Sequence, residues 1–250
     1  MTPDTIVKYY NDNFNLICSN YKNAQKITGV RNVSSIEYLI FDKENQKIEF
    51  TYYSDYITLR KWINSIIIGR KFGAKEEVIR DVFNNIGVFI AKYHLEFSDS
   101  IETKAYLSEF DSLRFKNTMC FLHGDLTDNN ILINNNNEVI IIDWESTPIL
   151  NPYFNYGSSL WDVCWFINSL LRPSPGTFFN TASRIRLVKY FIEGCDSITH
   201  IDKDLLFIYY KSNLEKRIHS IYKKNNIYNK VLYRKHLKNW RSLQSQFINK

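Results

Sequence analysis

At 250 residues, 44% of them hydrophobic and 23% charged, the chain has ample apolar material for one large domain or two modest lobes, which excludes a disordered chain. A net charge of +6 leaves phosphates, nucleic acid and anionic membrane surfaces all open as partners. Eight glycines, no two close enough to form a glycine-rich loop, exclude a phosphate cradle of that kind.

In chain order, Ile6, Tyr9, Tyr10, Phe14 and Ile17 recur at helical spacing, and the pattern predicts an amphipathic helix over 4–21. Ile36, Tyr38 and Ile40, then Ile48, Phe50 and Tyr52, alternate on either side of a polar stretch at 42–47, which predicts a β-hairpin. Thr58 is placed to cap a helix running through Leu59, Trp62, Ile63 and Ile66. Val78, Val82, Ile86, Phe89, Ile90 and Tyr93 follow steps of three and four and predict a helix over 75–96, with His94 near its end in a structural role.

Ile131 to Ile133 and Val139 to Ile142 read as a second hairpin around an asparagine-rich turn, followed by a loop over 144–156. Leu160 to Leu171 is an apolar helix broken by Pro173 and Pro175, and from Ala182 onward the pattern is helical. Cys18, Cys120, Cys164 and Cys195 are scattered among apolar runs with no C-x-x-C pair, and read as reduced core residues of a cytoplasmic protein. The amino terminus lacks the apolar core of a signal peptide, and the longest apolar runs are interrupted by Asn64, Ser65, Asp162 and Asn168, so no membrane span is expected.

The chemistry-bearing stretch is 121–145, FLHGDLTDNNILINNNNEVIIIDWE. Asp125 and Asn130 put a carboxylate and an amide on one loop, and Asp143 ends the adjoining strand. Phosphoryl transfer asks for such a set: a group facing the acceptor hydroxyl, and oxygen ligands for the magnesium that accompanies the nucleotide. HGDLTDNNIL followed by IIDWE resembles the aminoglycoside phosphotransferase and choline kinase group within the protein-kinase-like fold.

That resemblance implies an α+β, two-lobe protein: 1–56 a reduced amino-terminal lobe of a helix and a hairpin ending in a hinge at Tyr52–Tyr56, and 57–250 a mainly helical lobe. It implies Asp125 as the catalytic aspartate, Asn130 and Asp143 as ligands of Mg²⁺ and hence of ATP, and His123 as a structural support of the loop. Glu145 would neighbour the acceptor or the metal. Asp162 would accept backbone N–H bonds from the catalytic loop, the partner that an acid inside an apolar helix needs.

The implied activity is ATP-dependent phosphorylation of a hydroxyl on a small molecule, sugar or glycan. A pseudokinase-like binding module and nucleotidyl transfer on the same fold are the alternatives. The former arises because no glutamate precedes Glu37 and neither a glycine-rich loop nor a strand of the V-A-I-K type is recognisable, leaving Lys22, Lys26 and Arg31 as the candidate substitutes for the strand lysine.

After Glu215 there is no acid, while Lys216, Arg217, Lys223, Lys224, Lys230, Arg234, Lys235, Lys238, Arg241 and Lys250 follow. This basic region suits an anionic acceptor or peripheral contact with a membrane, and no nucleic-acid motif accompanies it.

Overall fold

The computed structural model describes residues 5–10, 14–67, 75–98, 118–145, 156–173, 180–215, 217–218, 222 and 227–248. The chain is α+β, with three small sheets and a mainly helical remainder.

The first sheet contains β1 (Thr5–Tyr9), β3 (Tyr38–Asp42) and β4 (Lys47–Thr51) in the order β1-β4-β3, all antiparallel. The second hairpin expectation aside, β3 and β4 are the first hairpin read from the sequence. β1 corrects the helix expected over 4–21: residues 5–9 are a strand, and helix α1 begins only at Phe14 and runs to Lys26. The apolar spacing of Ile6 and Tyr9 fits a helix, but Thr5, Ile6 and Val7 are β-branched and favour a pleated surface. Pairing with β4 settles the matter, since Ile6 lies opposite Phe50 and Lys8 opposite Ile48, two fully buried residues of the sheet's inner face.

The second sheet joins distant parts of the chain. β2 (Val33–Ser35) runs parallel to β8 (Val139–Ile141), β8 pairs with β7 (Ile131–Ile133) as the expected hairpin, and β7 pairs with the short β5 (Ile57–Thr58). A third, two-stranded sheet pairs β6 (Met119–Phe121) with β9 (Tyr156–Ser158), a strand the sequence pattern does not reveal. Most of the segment 98–118 and of the expected loop at 144–156 lies outside the described residues.

α2 (Leu59–Ile67) starts where predicted, with Thr58 Oγ1 accepting from the Lys61 amide at 3.3 Å. α3 (Glu76–Glu96) packs along α5 (Thr181–Asp196), and the two approach so closely at Gly87 and Gly194 that a Cβ on either would run into the backbone of the other helix. α4 (Leu160–Leu171), which packs against α5, is buried along its whole length. Burial obliges its orphan carbonyls to find donors. Arg184 Nη1 serves Leu170 at 2.5 Å, and Asn239 Nδ2, from α7 (Ile227–Ile248), serves Leu171 at 2.8 Å. His236 of α7 donates from Nε2 to the Asn168 carbonyl at 3.1 Å, and its Nδ1 accepts from Tyr222 at 3.0 Å. Burial lowers the His236 pKa to about 3, so it works there as a neutral ring. Between α5 and α7, α6 (Lys203–Tyr209) continues into a π-helical turn at Tyr210–Leu214.

Candidate active site

The loop between β6 and β7 is built from below by one acid. Asp162 on α4 is fully buried and accepts from the His123 amide at 2.7 Å, the Gly124 amide at 2.9 Å and His94 Nε2 at 2.9 Å. Three donors on one carboxylate satisfy a charge that burial would otherwise make prohibitive. Gly124 itself has φ +87°, a conformation that favours glycine, and its carbonyl accepts from Trp161 Nε1 at 2.9 Å. His123 is enclosed too: Nε2–H donates to the Ile142 carbonyl at 2.8 Å, which leaves Nδ1 to accept the Asp125 amide at 3.3 Å. One ring therefore ties the loop to the end of β8.

Asp125 emerges from this base with both carboxylate oxygens oriented. Trp165 Nε1 donates to Oδ1 at 2.7 Å and Asn130 Nδ2 to Oδ2 at 3.1 Å; Asn130 Nδ2 also reaches the Asp125 carbonyl at 2.9 Å. Burial raises the Asp125 pKa; the bond from Trp165, the nearby His123 and the bond from Asn130 oppose the rise, while the charge of Asp143 adds to it. With its amide nitrogen committed to Asp125, Asn130 has Oδ1 left as an oxygen donor.

Asp143 follows β8 with φ +60°, a left-handed conformation that aspartate tolerates better than most residues. Its carboxylate receives the ammonium of Lys8, which also lies 2.7 Å from Glu145 Oε1. Burial works against the Lys8 charge, but Asp143 and Glu145 together prevail and raise its pKa. Glu145 is also raised, by burial first, with Lys8 opposing and Asp143 adding. One ammonium thus faces two carboxylates, and it stays charged between them.

The structure places Lys8, a strand lysine that the sequence reading did not single out, beside Asp143 and Glu145. The proposed substitutes stand elsewhere. Lys22 Nζ lies 5.1 Å from the Phe41 ring centroid, Lys26 Nζ bonds Asn23 at 3.2 Å and lies 5.6 Å from the Phe97 ring, and Arg31 lines a cavity of about 200 Å³ with Asp81, Asn85 and Asn136. The signal was present in T-I-V-K-Y, a β-branched run ending in lysine ahead of a helix, but the helical spacing masked it. Asp125, Asn130, Asp143 and Glu145 are brought together with Lys8, while His123 and Asp162 lie beneath the loop.

Asn20 on α1 is the second residue that sequence reasoning missed. Fully buried, it donates from Nδ2 to the Leu122 carbonyl at 3.3 Å and the Trp144 carbonyl at 3.4 Å, and accepts from Tyr93 OH at 3.3 Å. It joins α1 to both sides of the site, just before the 123–130 loop and just after Asp143. Asn20→Leu strands two carbonyls and a phenol, each at a cost of about 1–3 kcal/mol. Chemical denaturation should show a loss of at least about 2 kcal/mol, and an unchanged midpoint would contradict this role.

The donor set suits magnesium. Among the described residues no group of three His, Cys, Asp or Glu could hold a metal ion by itself. Mg²⁺, however, usually takes one or two carboxylates and fills its shell with water and phosphate oxygens. Asp143 with Asn130 Oδ1 provides that partial set, and the ammonium of Lys8 already marks the position beside Asp143 as one that attracts a cation.

Residues 90–174 match the phosphotransferase enzyme family. They contain the end of α3, the 123–130 loop, the β7–β8 hairpin, Asp143 and α4. No curated protein matches the chain. Among solved structures it is similar to the choline kinase LicA from Streptococcus pneumoniae, at 12% identity and a TM-score of 0.45, over 97% of this chain and 87% of that one. A choline/ethanolamine kinase family protein from Mesorhizobium loti shows 15% identity and a TM-score of 0.39 over 97% and 88% of the two chains. LicA in complex with AMP shows 14% and 0.37 over 96% and 84%. These are distant likenesses.

Proposed function

We propose that the protein is an ATP-dependent phosphotransferase acting on a hydroxyl of a small molecule, sugar or glycan. The observation that carries this reading is the convergence of Asp125, Asn130 and Asp143 on one loop and hairpin, with Lys8 of the first sheet reaching Asp143. The family match over 90–174 supports it.

In this reading the chain divides into lobes at 1–56 and 57–250, and the nucleotide phosphates lie between Lys8 and the 123–130 loop. Asn130 and Asp143 would hold Mg²⁺, whose charge, when bound, offsets that developing on the phosphates. Asp125 orients the acceptor hydroxyl and takes its proton as the oxygen attacks the terminal phosphorus and the bond to the departing nucleoside diphosphate breaks. Trp165 and Asn130 fix the carboxylate for that task, so the orientation is built before substrate arrives. Lys8, charged between two acids, is poised to exchange one of them for a phosphate oxygen. The acceptor is anionic if the basic carboxyl-terminal region contributes to its capture. A cytoplasmic location suits an ATP-using protein whose four cysteines are buried and unbridged.

The test is incubation of the purified protein with Mg²⁺-ATP and a panel of hydroxylated acceptors, the product being weighed by mass spectrometry. Gain of one phosphoryl group supports the reading. Gain of a nucleotidyl group establishes the alternative transfer instead, and absence of nucleotide turnover with every acceptor favours the binding module.

A further inference from the structure

Charge is distributed unevenly along this chain. Ten of the 32 Lys and Arg residues and none of the 26 Asp and Glu follow Glu215, so the preceding 215 residues carry 22 bases against 26 acids and are net negative. Within the described part of this basic region, α7 concentrates the excess in one place. At about 100° per residue, Lys230, Arg234, Lys238 and Arg241 fall within an arc of about 80°. All four are exposed, whereas His236, Asn239, Trp240 and Leu243 on the opposite side are buried. The helix is therefore seated by one face, and the other is a nearly straight row of cations about 16 Å long.

Two features separate this row from an ordinary solvated face. Lys8, Arg60, Arg80, Arg186 and Lys203 each have an acidic partner, yet none of the four α7 cations has one among the described residues. Near its amino-terminal end the row is flanked on one side by exposed apolar surface: Val231, 44% accessible, falls about 20° beyond its edge, and Tyr228, 53% accessible, about 80° beyond. Tyr228 offers an aromatic body with a polar tip, the combination that settles at a membrane–water boundary.

We propose that the outer face of α7 docks the protein on an anionic lipid bilayer. Lys230, Arg234, Lys238 and Arg241 meet the lipid headgroups, and Tyr228 and Val231 enter the boundary below them. A straight row of charges matches a flat surface, and an exposed valine has a place to go in a bilayer but not on a phosphate backbone of nucleic acid. No described helix is long and apolar enough to cross a membrane, so the contact is peripheral. The net negative body is repelled by the same surface, which orients the molecule with α7 toward the lipid. This docking is independent of the reaction assigned to the site.

Sedimentation of the full chain with vesicles tests it. Vesicles of phosphatidylcholine and phosphatidylserine in a two-to-one ratio should carry the protein down, pure phosphatidylcholine should not, and high salt should release it. Each basic side chain near an anionic leaflet is worth about fivefold in partitioning, so replacing Lys230, Arg234, Lys238 and Arg241 together by Gln should weaken binding by about 100-fold or more with an unchanged melting temperature. A second variant, Tyr228→Ser with Val231→Ser, should weaken it while preserving the salt dependence. Equal sedimentation with both vesicle types, undiminished binding by both variants, or preference for a random-sequence DNA duplex over the anionic vesicles at matched phosphate would each overturn the proposal.

Discussion

Asp125→Asn is expected to abolish phosphoryl transfer while leaving the stability of the fold close to that of the wild type. A positioned general base contributes about 10²–10⁴-fold, and the amide cannot accept the hydroxyl proton. Burial is the main reason why the Asp125 carboxyl titrates above its ordinary range. Because the folded value lies above the unfolded one, the native state loses stability as pH rises through that window, and at neutral pH the ionised group is a net cost. The amide removes this cost and keeps an oxygen for Trp165, while its nitrogen faces Asn130 Nδ2 and forfeits that hydrogen bond, worth about 1 kcal/mol, so the two changes oppose each other. A thermal melt close to wild type, together with a loss of kcat of at least about 100-fold, is the expected pair of results. The acid limb of the wild-type rate profile should also lie above the pH at which an ordinary aspartate titrates. A variant that turns over ATP normally would remove Asp125 from the reaction, and one that unfolds would make it a structural residue instead.

Lys8→Met should separate the nucleotide contact from the chemistry at Asp125. Methionine preserves most of the length and apolar stem, so β1 should stay paired with β4, but Asp143 and Glu145 are left facing each other without a cation. Loss of one preorganised charge contact to a transferring phosphate costs about 10²–10³-fold. The expected result is a fall of about 100-fold in kcat/KM for ATP, with KM for ATP rising and KM for the acceptor unchanged. Lys22→Met, Lys26→Met and Arg31→Met serve as controls, since these side chains lie against Phe41, Phe97 and the cavity beside Asp81. If one of these controls costs as much as Lys8→Met, the assignment of the strand lysine is wrong.

The contrast between Lys8 and those three residues shows what was legible in the sequence. The longer elements read directly: α3 through apolar residues three and four apart, α4 through a long apolar run ended by prolines, β3 with β4 and β7 with β8 through alternating or continuous apolar runs around polar turns. The loop at 123–130 was legible because its chemistry is local, with Asp125 and Asn130 five residues apart and bonded to each other. β1 was not, because five residues satisfy two periods at once and the choice between them depends on a partner strand some forty residues away, at Lys47–Thr51. Strands of two or three residues, such as β2, β5 and β9, have no period at all and exist by virtue of their neighbours. Asn20 could not be read for a related reason. Its value depends on which side of α1 faces the carbonyls of Leu122 and Trp144, and nothing in N-L-I-C-S-N-Y marks that direction.

The same contrast changes the reading of the amino-terminal part. The sequence suggested a lobe without a cation for the phosphates, and hence a possible binding module. With β1 in place, the three-stranded sheet delivers Lys8 to Asp143 and α1 is tied to the site through Asn20, so on the proposed function the nucleotide phosphates would meet a cation even without a glycine-rich loop.

The most direct measurement is calorimetric titration of ATP, with Mg²⁺ and with chelator, into the wild-type protein and into Asp143→Asn. Asparagine tolerates the left-handed backbone at this position, so the variant removes the charge without forcing the chain to move. The wild type should bind ATP in a strongly Mg²⁺-dependent manner, and Asp143→Asn should lose that dependence while melting normally. Binding indifferent to Mg²⁺ in the wild type, or no binding of nucleotide at all, would contradict the assignment of this site to phosphoryl transfer.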